Sequence, residues 1–392
     1  MRRAADILFI IVLLVVLIAG LARTLLFPKD INAYENRYAQ KVSELSAESY
    51  LSGTFQEDTE AALNDQIPLS LRMKQLCNYV SVYPTVRSLQ AMVDNGLDGD
   101  HTFDVNGSSG VLFYRGILCY TPRDLEEVTP VLEENSAGLN AWFAENPGVD
   151  FYAYYVESDS MMDFEAKTNT GIADRLLSLL ALPEERKGAF RIGSFDRYVQ
   201  YFYQTDHHWN YLGSYQAYTE LVSLLGLGEP LVPTGVQEDI GRMCGSRAKT
   251  IGAQGILSES FSAFTFDLPL MTITQGGAPV AYGNEEAFLR GEGALELTYG
   301  NFYGGDPGEI VFDTRDPGRE NILILGDSYD NAILKLLASH FGKTYSVDLR
   351  NYQAETGETF RLTDYLAARD IHKVLLIGSY PFGFAGAADQ GG

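Results

Sequence analysis

The last third of the chain alternates short apolar runs with segments of helical periodicity, and this alternation constrains the fold more than any other feature. The alternating segments are 322–325, 332–337, 345–349, 362–369 and 374–377. The first and last are continuous apolar runs that end at Gly326 and Gly378, as expected of strands buried on both faces. Strand, helix, strand, helix, strand implies right-handed crossovers, and so predicts an α/β fold with a parallel sheet flanked by helices. Catalytic groups of such sheets gather at the carboxyl ends of the strands.

The N-terminus carries an apolar segment over residues 7–27 that only Arg23 and Thr24 interrupt. If the Arg23 side chain reaches the membrane interface, the segment is long enough to be a transmembrane helix. Arginines precede it and acidic residues follow it, so the positive-inside bias predicts a cytoplasmic tip and an extracytoplasmic remainder. A cleaved signal peptide is the alternative, because residues 19–22 suit a cleavage site. Both interpretations export the rest of the chain, either as a single-pass membrane protein or as a secreted one.

Composition predicts three regions along the chain. Residues 1–27 form the cytoplasmic tip and the anchor or signal peptide. Residues 28–75 are polar and mostly compatible with helix, and they predict a helical stalk. Residues 76–392 form the main domain, in which a stretch at about 226–319 is rich in Gly, Thr and Phe and predicts a β-rich insertion.

Charge and cysteine content exclude two classes of function. The chain has 29 Lys and Arg against 52 Asp and Glu, which gives a formal net charge of -23. A field of that sign repels phosphate backbones, so we expect no nucleic-acid partner. The 3 cysteines are too few and too scattered for a zinc ribbon, and their odd number excludes a fully paired disulfide framework.

A serine follows the first of the predicted strands, in the stretch Gly326-Asp327-Ser328. At that position its hydroxyl projects at the carboxyl edge of the sheet, and Gly326 permits a tight turn. A helix that opens directly behind the serine would direct free N–H groups and a positive dipole at an oxyanion. The alternative is an ordinary strand-to-helix turn, in which Gly, Asp and Ser are common.

A general base is supplied by a second stretch, Asp206-His207-His208-Trp209. The whole chain has only 5 His and 2 Trp, so this cluster is unusual. Residues two apart in an extended segment point the same way, so the Asp206 carboxylate can fix the tautomer of His208 and leave its other nitrogen to take a proton from a serine. The alternatives are a metal site that uses both histidines and a structural histidine under the predicted helix 211–225.

These stretches resemble known motifs. Asp206-His207-His208-Trp209 resembles the motif that names the DHHW family, and it is similar to the Asp-x-His-Trp motif of the alginate O-acetylation proteins of the AlgJ/AlgX type, relatives of the SGNH hydrolases. Further matches occur in family order at Glu35-Asn36-Arg37, Asp65-Gln66-Ile67-Pro68 with Arg72, Gly326-Asp327-Ser328-Tyr329 and Asp348-Leu349-Arg350-Asn351-Tyr352. The acid and the base precede the serine, which is the circularly permuted order of the AlgJ/AlgX group.

The resemblance implies an SGNH-hydrolase-like sheet with Ser328 as nucleophile, His208 as general base and Asp206 as its orienting acid. Further residues match positions near the family's active site or lie next to the three, and we expect them to make secondary oxyanion or substrate contacts: Gly326, Asp327, Tyr329, Arg350, Tyr352, Trp209 and His207. We expect neither a metal nor a cofactor.

The resemblance also implies a membrane-anchored, extracytoplasmic serine O-acetyltransferase. It would carry an acetyl group on serine and pass it to a cell-envelope or secreted polysaccharide, with a membrane-bound O-acyltransferase as the acetyl donor. Two alternatives remain. The same three residues with freer access of water would form a carbohydrate acetyl esterase, and a decayed site would leave a polysaccharide-binding assembly component.

Overall fold

The computed structural model describes residues 45–66, 70–105, 110–285 and 296–379, with Gly107, Phe382 and parts of the first 44 residues. The described parts of that first stretch are Ile7, 9–15, Ile18, Ala19, Ala22, Leu26, Ile31–Asn32 and Arg37–Tyr38. The chain divides into two compact units. The first contains Met1–Ser88 and Lys249–Ile256, and the second contains Leu89–Ala248 and Leu257–Gly392.

Strands and helices are interspersed along the described chain. The strands are β1 (Ile31–Asn32), β2 (Arg37–Tyr38), β3 (Phe103–Asp104), β4 (Val111–Tyr114), β5 (Ile117–Tyr120), β6 (Asp150–Val156), β7 (Met162–Asp163), β8 (Thr168–Asn169), β9 (Lys187–Phe190), β10 (Gly235–Met243), β11 (Glu259–Thr265), β12 (Thr272–Gln275), β13 (Ala278–Pro279), β14 (Glu296–Leu297), β15 (Glu309–Asp313), β16 (Asn321–Leu325), β17 (Lys343–Val347) and β18 (Ile371–Gly378). The α-helices are α1 (Ala47–Ser52), α2 (Thr54–Gln66), α3 (Ser70–Asp94), α4 (Leu125–Glu145), α5 (Ile172–Leu179), α6 (Phe195–Tyr201), α7 (Tyr211–Leu224), α8 (Ser246–Thr250), α9 (Tyr299–Tyr303), α10 (Leu334–Ala338), α11 (Tyr352–Thr356) and α12 (Leu362–Arg369).

The described residues of the predicted anchor, between 7 and 26, are helical. No helix built from described residues is both long and apolar enough to cross a membrane. The remaining residues of the predicted anchor lie outside the described part of the chain, so the membrane anchor and the signal peptide both stay predictions.

The predicted stalk, 28–75, contains the strand pair β1–β2 and the helices α1 and α2. Helix α1 begins after Ser46, whose hydroxyl accepts a hydrogen bond from the Ser49 N–H. In return, the Ser46 N–H donates a hydrogen bond to the Ser49 hydroxyl. It ends at Gly53, whose φ of 90° is left-handed and closes the helix. Helix α3 continues past the predicted boundary to Asp94.

The central sheet has 8 strands in the order β13-β12-β15-β17-β16-β18-β6-β9. From β17 to β9 all neighbours are parallel, and this part contains the three C-terminal strands expected from the sequence. Strands β15, β12 and β13 extend one edge with antiparallel pairs, so the sheet is mixed where the sequence predicted a parallel one. Strands β12 and β13 can pair in this way because they are neighbours along the chain and join through a short turn, which an antiparallel pair permits.

The stretch at about 226–319 contributes strands to two sheets. Strands β10, β11 and β14 form a separate three-stranded sheet, whereas β12, β13 and β15 belong to the central sheet.

The central sheet is buried on both faces. Along β16, Ile322 and Ile324 belong to one core cluster, and Leu323 and Leu325 belong to the other. Apolar residues of α7 and α10 cover the first face, and those of α4, α5 and α12 cover the second. Each fully buried aliphatic side chain contributes about 1.5–3 kcal/mol of hydrophobic free energy, so this sheet is a rigid support for groups at its carboxyl edge.

Candidate active site

The folded chain brings Asp206, His208 and Ser328 into hydrogen-bond contact. The Nδ1 of His208 lies 2.6 Å from the Asp206 Oδ1, and its Nε2 lies 2.7 Å from the Ser328 Oγ, although His208 and Ser328 are 120 positions apart. With an Nδ1 proton donated to the carboxylate, Nε2 is free to accept the serine proton. The three side chains can therefore activate a serine oxygen for attack on an ester.

Two segments of the chain position these three side chains. Ser328 follows β16, which lies between β17 and β18 in the sheet, so its hydroxyl stands at the carboxyl edge as the sequence predicts. Asp206 and His208 lie in the loop between α6 and α7. That loop folds back on itself, because the Tyr203 N–H donates to the His208 carbonyl at 3.0 Å. Asn210 ends the loop by capping α7, where its side chain accepts hydrogen bonds from two backbone N–H groups.

The Asp206 carboxylate is held by two more backbone donors. The His208 N–H donates to Oδ1 at 3.0 Å and the Ser246 N–H donates to Oδ2 at 2.7 Å. Burial opposes ionisation, but the neighbouring His208 and His207 and these hydrogen bonds outweigh it and hold the pKa of Asp206 well below its ordinary value. The group is therefore an anion throughout the neutral range, as an orienting acid must be.

Ser246 belongs to a segment that carries no recognisable motif. Its neighbour Gly245 lies so close to the Thr205–Asp206 backbone that a Cβ there would stand 2.2 Å from the Thr205 carbonyl oxygen. On the other side, the fully buried Arg247 forms an ion pair with the fully buried Asp159. Glycine lets the segment approach Asp206, and the buried pair anchors it there.

The imidazole ring of His208 packs against two other rings. Tyr299 stacks on it at a centroid distance of 4.0 Å and an angle of 2°, and His207 lies against it at 3.9 Å with a tilt of 36°. The Tyr299 hydroxyl accepts a hydrogen bond from the Trp209 Nε1 at 3.1 Å and donates to the Tyr329 carbonyl at 3.2 Å. The base is thus fixed in orientation before substrate binds. Tyr299 lies outside every motif of the sequence.

Of the backbone N–H groups of Gly326, Ser328 and Tyr329, that of Ser328 has no acceptor within the described chain. The Gly326 N–H donates to the Val347 carbonyl at 3.2 Å, and the Tyr329 N–H donates to the Asp327 carboxylate at 3.1 Å. The Ser328 N–H, in contrast, donates to no group within the described chain. It is the candidate oxyanion donor, and Gly326, Asp327 and Tyr329 support the turn that presents it.

The α-helix that the sequence predicts directly behind Ser328 does not begin there, so that prediction was wrong. Asp330–Ala332 forms a single 3₁₀ turn, and the α-helix α10 begins only at Leu334. The Asp327 carboxylate competes for the Tyr329 N–H, and the Asp330 N–H donates to the Asp327 carbonyl at 2.9 Å, so a tight turn replaces the first helical turn. A helix dipole therefore contributes little at Ser328.

Two acidic residues of this turn are structural. Asp327 also accepts a hydrogen bond from the Ser379 N–H at 2.8 Å, which joins the turn to the residue after β18. Asp330 is buried against Gly326, where a Cβ would stand 1.8 Å from its Oδ2. Burial and the nearby carboxylates of Asp327, Asp306 and Asp348 raise the pKa of Asp330 well above its ordinary value. Gly326 is therefore required for space as well as for the turn.

The remaining secondary residues occupy different places. Trp209 is fully buried and supports Tyr299 from within the core, so it cannot contact a substrate. The Nε of Arg350 contacts the Asp348 carboxylate at 2.9 Å, and Nη2 contacts Asp306 at 3.0 Å. Tyr352 packs on Phe360 in the core cluster on the other face of the sheet from Trp209. The fold thus places Trp209 and Tyr352 in the core rather than at a substrate surface.

Asp206, His207 and His208 are also the one cluster in the described chain whose donor atoms lie close enough to consider for a metal. Tetrahedral zinc with bonds of about 2.0–2.2 Å keeps its ligand atoms about 3.4 Å apart. The His208 Nδ1 and the Asp206 Oδ1 are only 2.6 Å apart, which is a hydrogen-bond distance. The arrangement fits proton transfer better than metal ligation.

Comparisons with known proteins reveal similarity in structure. No family model matches the sequence. No curated protein matches it. The fold is similar to that of a DHHW family protein from Eubacterium siraeum, with a TM-score of 0.56 and 15% identity over 74% of this chain and 97% of that one. It is also similar to Bacillus cereus PatB1 carrying a sulfonyl adduct, with a TM-score of 0.52 and 19% identity over 71% of this chain and 96% of PatB1. The chain therefore has a DHHW/PatB-like fold.

Proposed function

We propose that this protein is a serine O-acetyltransferase that passes an acetyl group to a hydroxyl of a cell-envelope polysaccharide. The observation that carries the proposal is the hydrogen-bonded series from Asp206 through His208 to the Ser328 Oγ, with contacts of 2.6 and 2.7 Å. The fold shared with PatB1 suggests a peptidoglycan O-acetyltransferase-like function, at low sequence identity. Peptidoglycan fragments are accordingly the first acceptors to test.

The first half of the reaction loads the serine. The Ser328 Oγ attacks the carbonyl carbon of an acetyl ester while its proton moves to the Nε2 of His208, and the ionised Asp206 stabilises the resulting imidazolium. The Ser328 N–H faces the oxyanion, a contact worth about 3–4 kcal/mol per donor. When the carbonyl reforms, the bond to the leaving alkoxide breaks and His208 returns the proton to it. The product is acetyl-Ser328.

The second half of the reaction transfers the acetyl group from Ser328 to the acceptor. A carbohydrate hydroxyl gives its proton to the Nε2 of His208 as its oxygen attacks the acetyl carbon, and collapse of the tetrahedral intermediate returns the proton to the Ser328 Oγ. Water in place of the carbohydrate would release acetate. The difference between a transferase and an esterase therefore lies in which hydroxyl reaches His208.

The setting of the reaction belongs to the same proposal. The apolar segment 7–27 would anchor the chain in the membrane, or direct its secretion, with the site outside the cytoplasm. A membrane-bound O-acyltransferase would supply the acetyl group, as in the AlgJ/AlgX type that the motifs resemble. We expect no nucleic-acid partner, because the strongly negative net charge repels phosphate backbones.

The proposal is tested with the full chain and p-nitrophenyl acetate as donor. Wild type should release nitrophenol in a burst and carry an acetyl group on Ser328 by peptide mass spectrometry, and Ser328→Ala should do neither. With a chitooligosaccharide or peptidoglycan fragment present, wild type should acetylate the carbohydrate. Release of free acetate alone, whatever acceptor is offered, would identify an esterase. Equal rates for wild type and Ser328→Ala would leave a non-catalytic binding component.

A further inference from the structure

His207 lies beside the base, and its Nδ1 lies 3.5 Å from the Asp206 Oδ1, but within the described chain its ring forms no hydrogen bond with Asp206, His208 or Ser328. Its side chain is 34% exposed, against 9% for His208, so His207 forms the solvent side of the ring stack. The Nδ1 of His207 lies 2.7 Å from the Ser246 Oγ. Its Nε2 has no hydrogen-bond partner within the described chain. The residue therefore offers one open polar atom next to the base.

The orientation of His207 is fixed by the same segment that fixes the acid. Ser246 contacts the His207 ring through its hydroxyl and the Asp206 carboxylate through its backbone N–H. The Tyr329 hydroxyl donates to the His207 carbonyl at 2.8 Å, which holds the backbone as well. A residue held at its ring by Ser246 and at its backbone by Tyr329 is pre-organised for a ligand and loses little entropy on binding.

The chemistry of this atom selects a hydroxyl as its ligand. Burial and the neighbouring His208 lower the pKa of His207 well below its ordinary value, so the ring is neutral. In one tautomer of a neutral imidazole Nε2 donates a hydrogen bond, and in the other it accepts one. A hydroxyl can do both, so it pairs with Nε2 in either tautomer. An acetate anion or an ammonium group would pair in only one.

We propose that His207 is an acceptor-binding residue, whose Nε2 holds a carbohydrate hydroxyl beside acetyl-Ser328 while its ring keeps water from His208. The inference rests on the proposed function and adds the feature that favours transfer over hydrolysis. The acceptor would use one hydroxyl for attack and a neighbouring one for His207, as a sugar with adjacent hydroxyl groups can.

The experiment measures how much of the acetyl group on Ser328 passes to a carbohydrate and how much passes to water. Full-length protein is given p-nitrophenyl acetate with and without chitotetraose, and acetylated chitotetraose and free acetate are quantified together. His207→Phe keeps a flat ring over His208 but removes the nitrogen, and His207→Gln keeps a polar group at about the same reach. His372→Phe is the matched control, because His372 is exposed and pairs with Asp370 rather than with any group of the site.

His207→Phe should lower the ratio of transfer to hydrolysis about tenfold, as expected for loss of one hydrogen bond to the acceptor. The apparent KM for chitotetraose should rise, while His207→Gln should stay within about threefold of wild type. Labelling of Ser328 by a sulfonyl fluoride reports folding in each variant. An unchanged ratio in His207→Phe, with normal transfer by wild type, would overturn the role of His207 alone. Absence of transfer from wild type would overturn both this role and the proposed transferase.

Discussion

At the scale of single residues, the Asp206 carboxylate is the most constrained group of the site. It accepts the His208 Nδ1 contact at 2.6 Å and backbone hydrogen bonds from His208 and Ser246. Asp206→Asn keeps the shape of the side chain, but its NH2 group replaces one of the two acceptor oxygens and the charge that stabilises the His208 imidazolium is lost. We expect kcat for p-nitrophenyl acetate to fall about 10⁴-fold, as in other serine enzymes with this arrangement. Steady-state kinetics measures it, and a loss of less than about tenfold would remove Asp206 from the proton transfer.

A second residue-scale prediction concerns stability. The pKa of the buried Asp330 is raised well above its ordinary value of 3.8 by burial and by the acidic residues around it. Well below pH 4 the Asp330 carboxyl is neutral in both the folded and the unfolded chain, so its ionisation does not change the free energy of unfolding in that range. As pH rises above 4 the unfolded chain ionises first, and each further pH unit lowers the free energy of unfolding by about 1.4 kcal/mol until the pH passes the pKa of the folded chain.

Asp330→Asn should therefore raise the melting temperature, with a gain that is absent near pH 3 and grows from pH 4 upward. Thermal unfolding across this range measures the gain. Asp267→Asn is the control, because Asp267 is exposed and its replacement should produce no such trend. A constant difference in melting temperature at every pH would show that Asp330 ionises normally in the folded protein.

At the scale of elements, Gly245 decides how closely the segment before α8 approaches the loop of Asp206. A Cβ at this position would stand 2.2 Å from the Thr205 carbonyl oxygen and 2.5 Å from the Asp206 nitrogen, which are backbone atoms that cannot rotate away. Gly245→Ala should therefore displace Ser246 from Asp206. The expected results are a loss of about 1–3 kcal/mol of stability and at least a tenfold fall in kcat.

Gly148→Ala is the matched control, because a Cβ at Gly148 meets no atom within 4 Å. Thermal unfolding and burst kinetics should be unchanged in that variant. Wild-type kinetics in Gly245→Ala would show that the loop tolerates the displacement and that the contact from Ser246 to Asp206 is dispensable.

The elements also differ in how well the sequence predicts them. Strands β16 and β18 were predictable because a central parallel strand must be apolar on both faces, and that requirement produces a continuous apolar run. The pairing of His208 with Ser328 followed from complementary chemistry in two short stretches. Tyr299 was not predictable, because it meets His208 through tertiary packing and its own helix, α9, has no distinctive pattern. The 3₁₀ turn after Ser328 was missed because side-chain hydrogen bonds of Asp327 overrode helical spacing.

At the scale of the whole molecule, we expect the net charge of -23 to favour neutral over anionic acceptors in the proposed transfer. Anionic polymers are repelled by such a field, and salt screens that repulsion over a Debye length of about 10 Å at 0.1 M. We expect the KM for an oligouronate acceptor to fall severalfold between about 20 and 500 mM NaCl, while the KM for neutral chitotetraose stays constant. Transfer assays at a series of salt concentrations measure this. A parallel response of both acceptors would show that the field does not reach the acceptor.

The position of β18 in the central sheet has a consequence for the order of biosynthesis. Strand β18 lies between β16 and β6, and Ser379 after it holds the Asp327 carboxylate of the nucleophile turn. A growing polypeptide presents β6 and β9 to the surroundings long before the strand that must sit beside them has left the ribosome. Until it arrives, no strand fills the place between β16 and β6, and the Ser379 N–H cannot hold the Asp327 carboxylate behind Ser328. We therefore expect the hydrogen-bonded series of Asp206, His208 and Ser328 to be complete only after synthesis has passed Ser379.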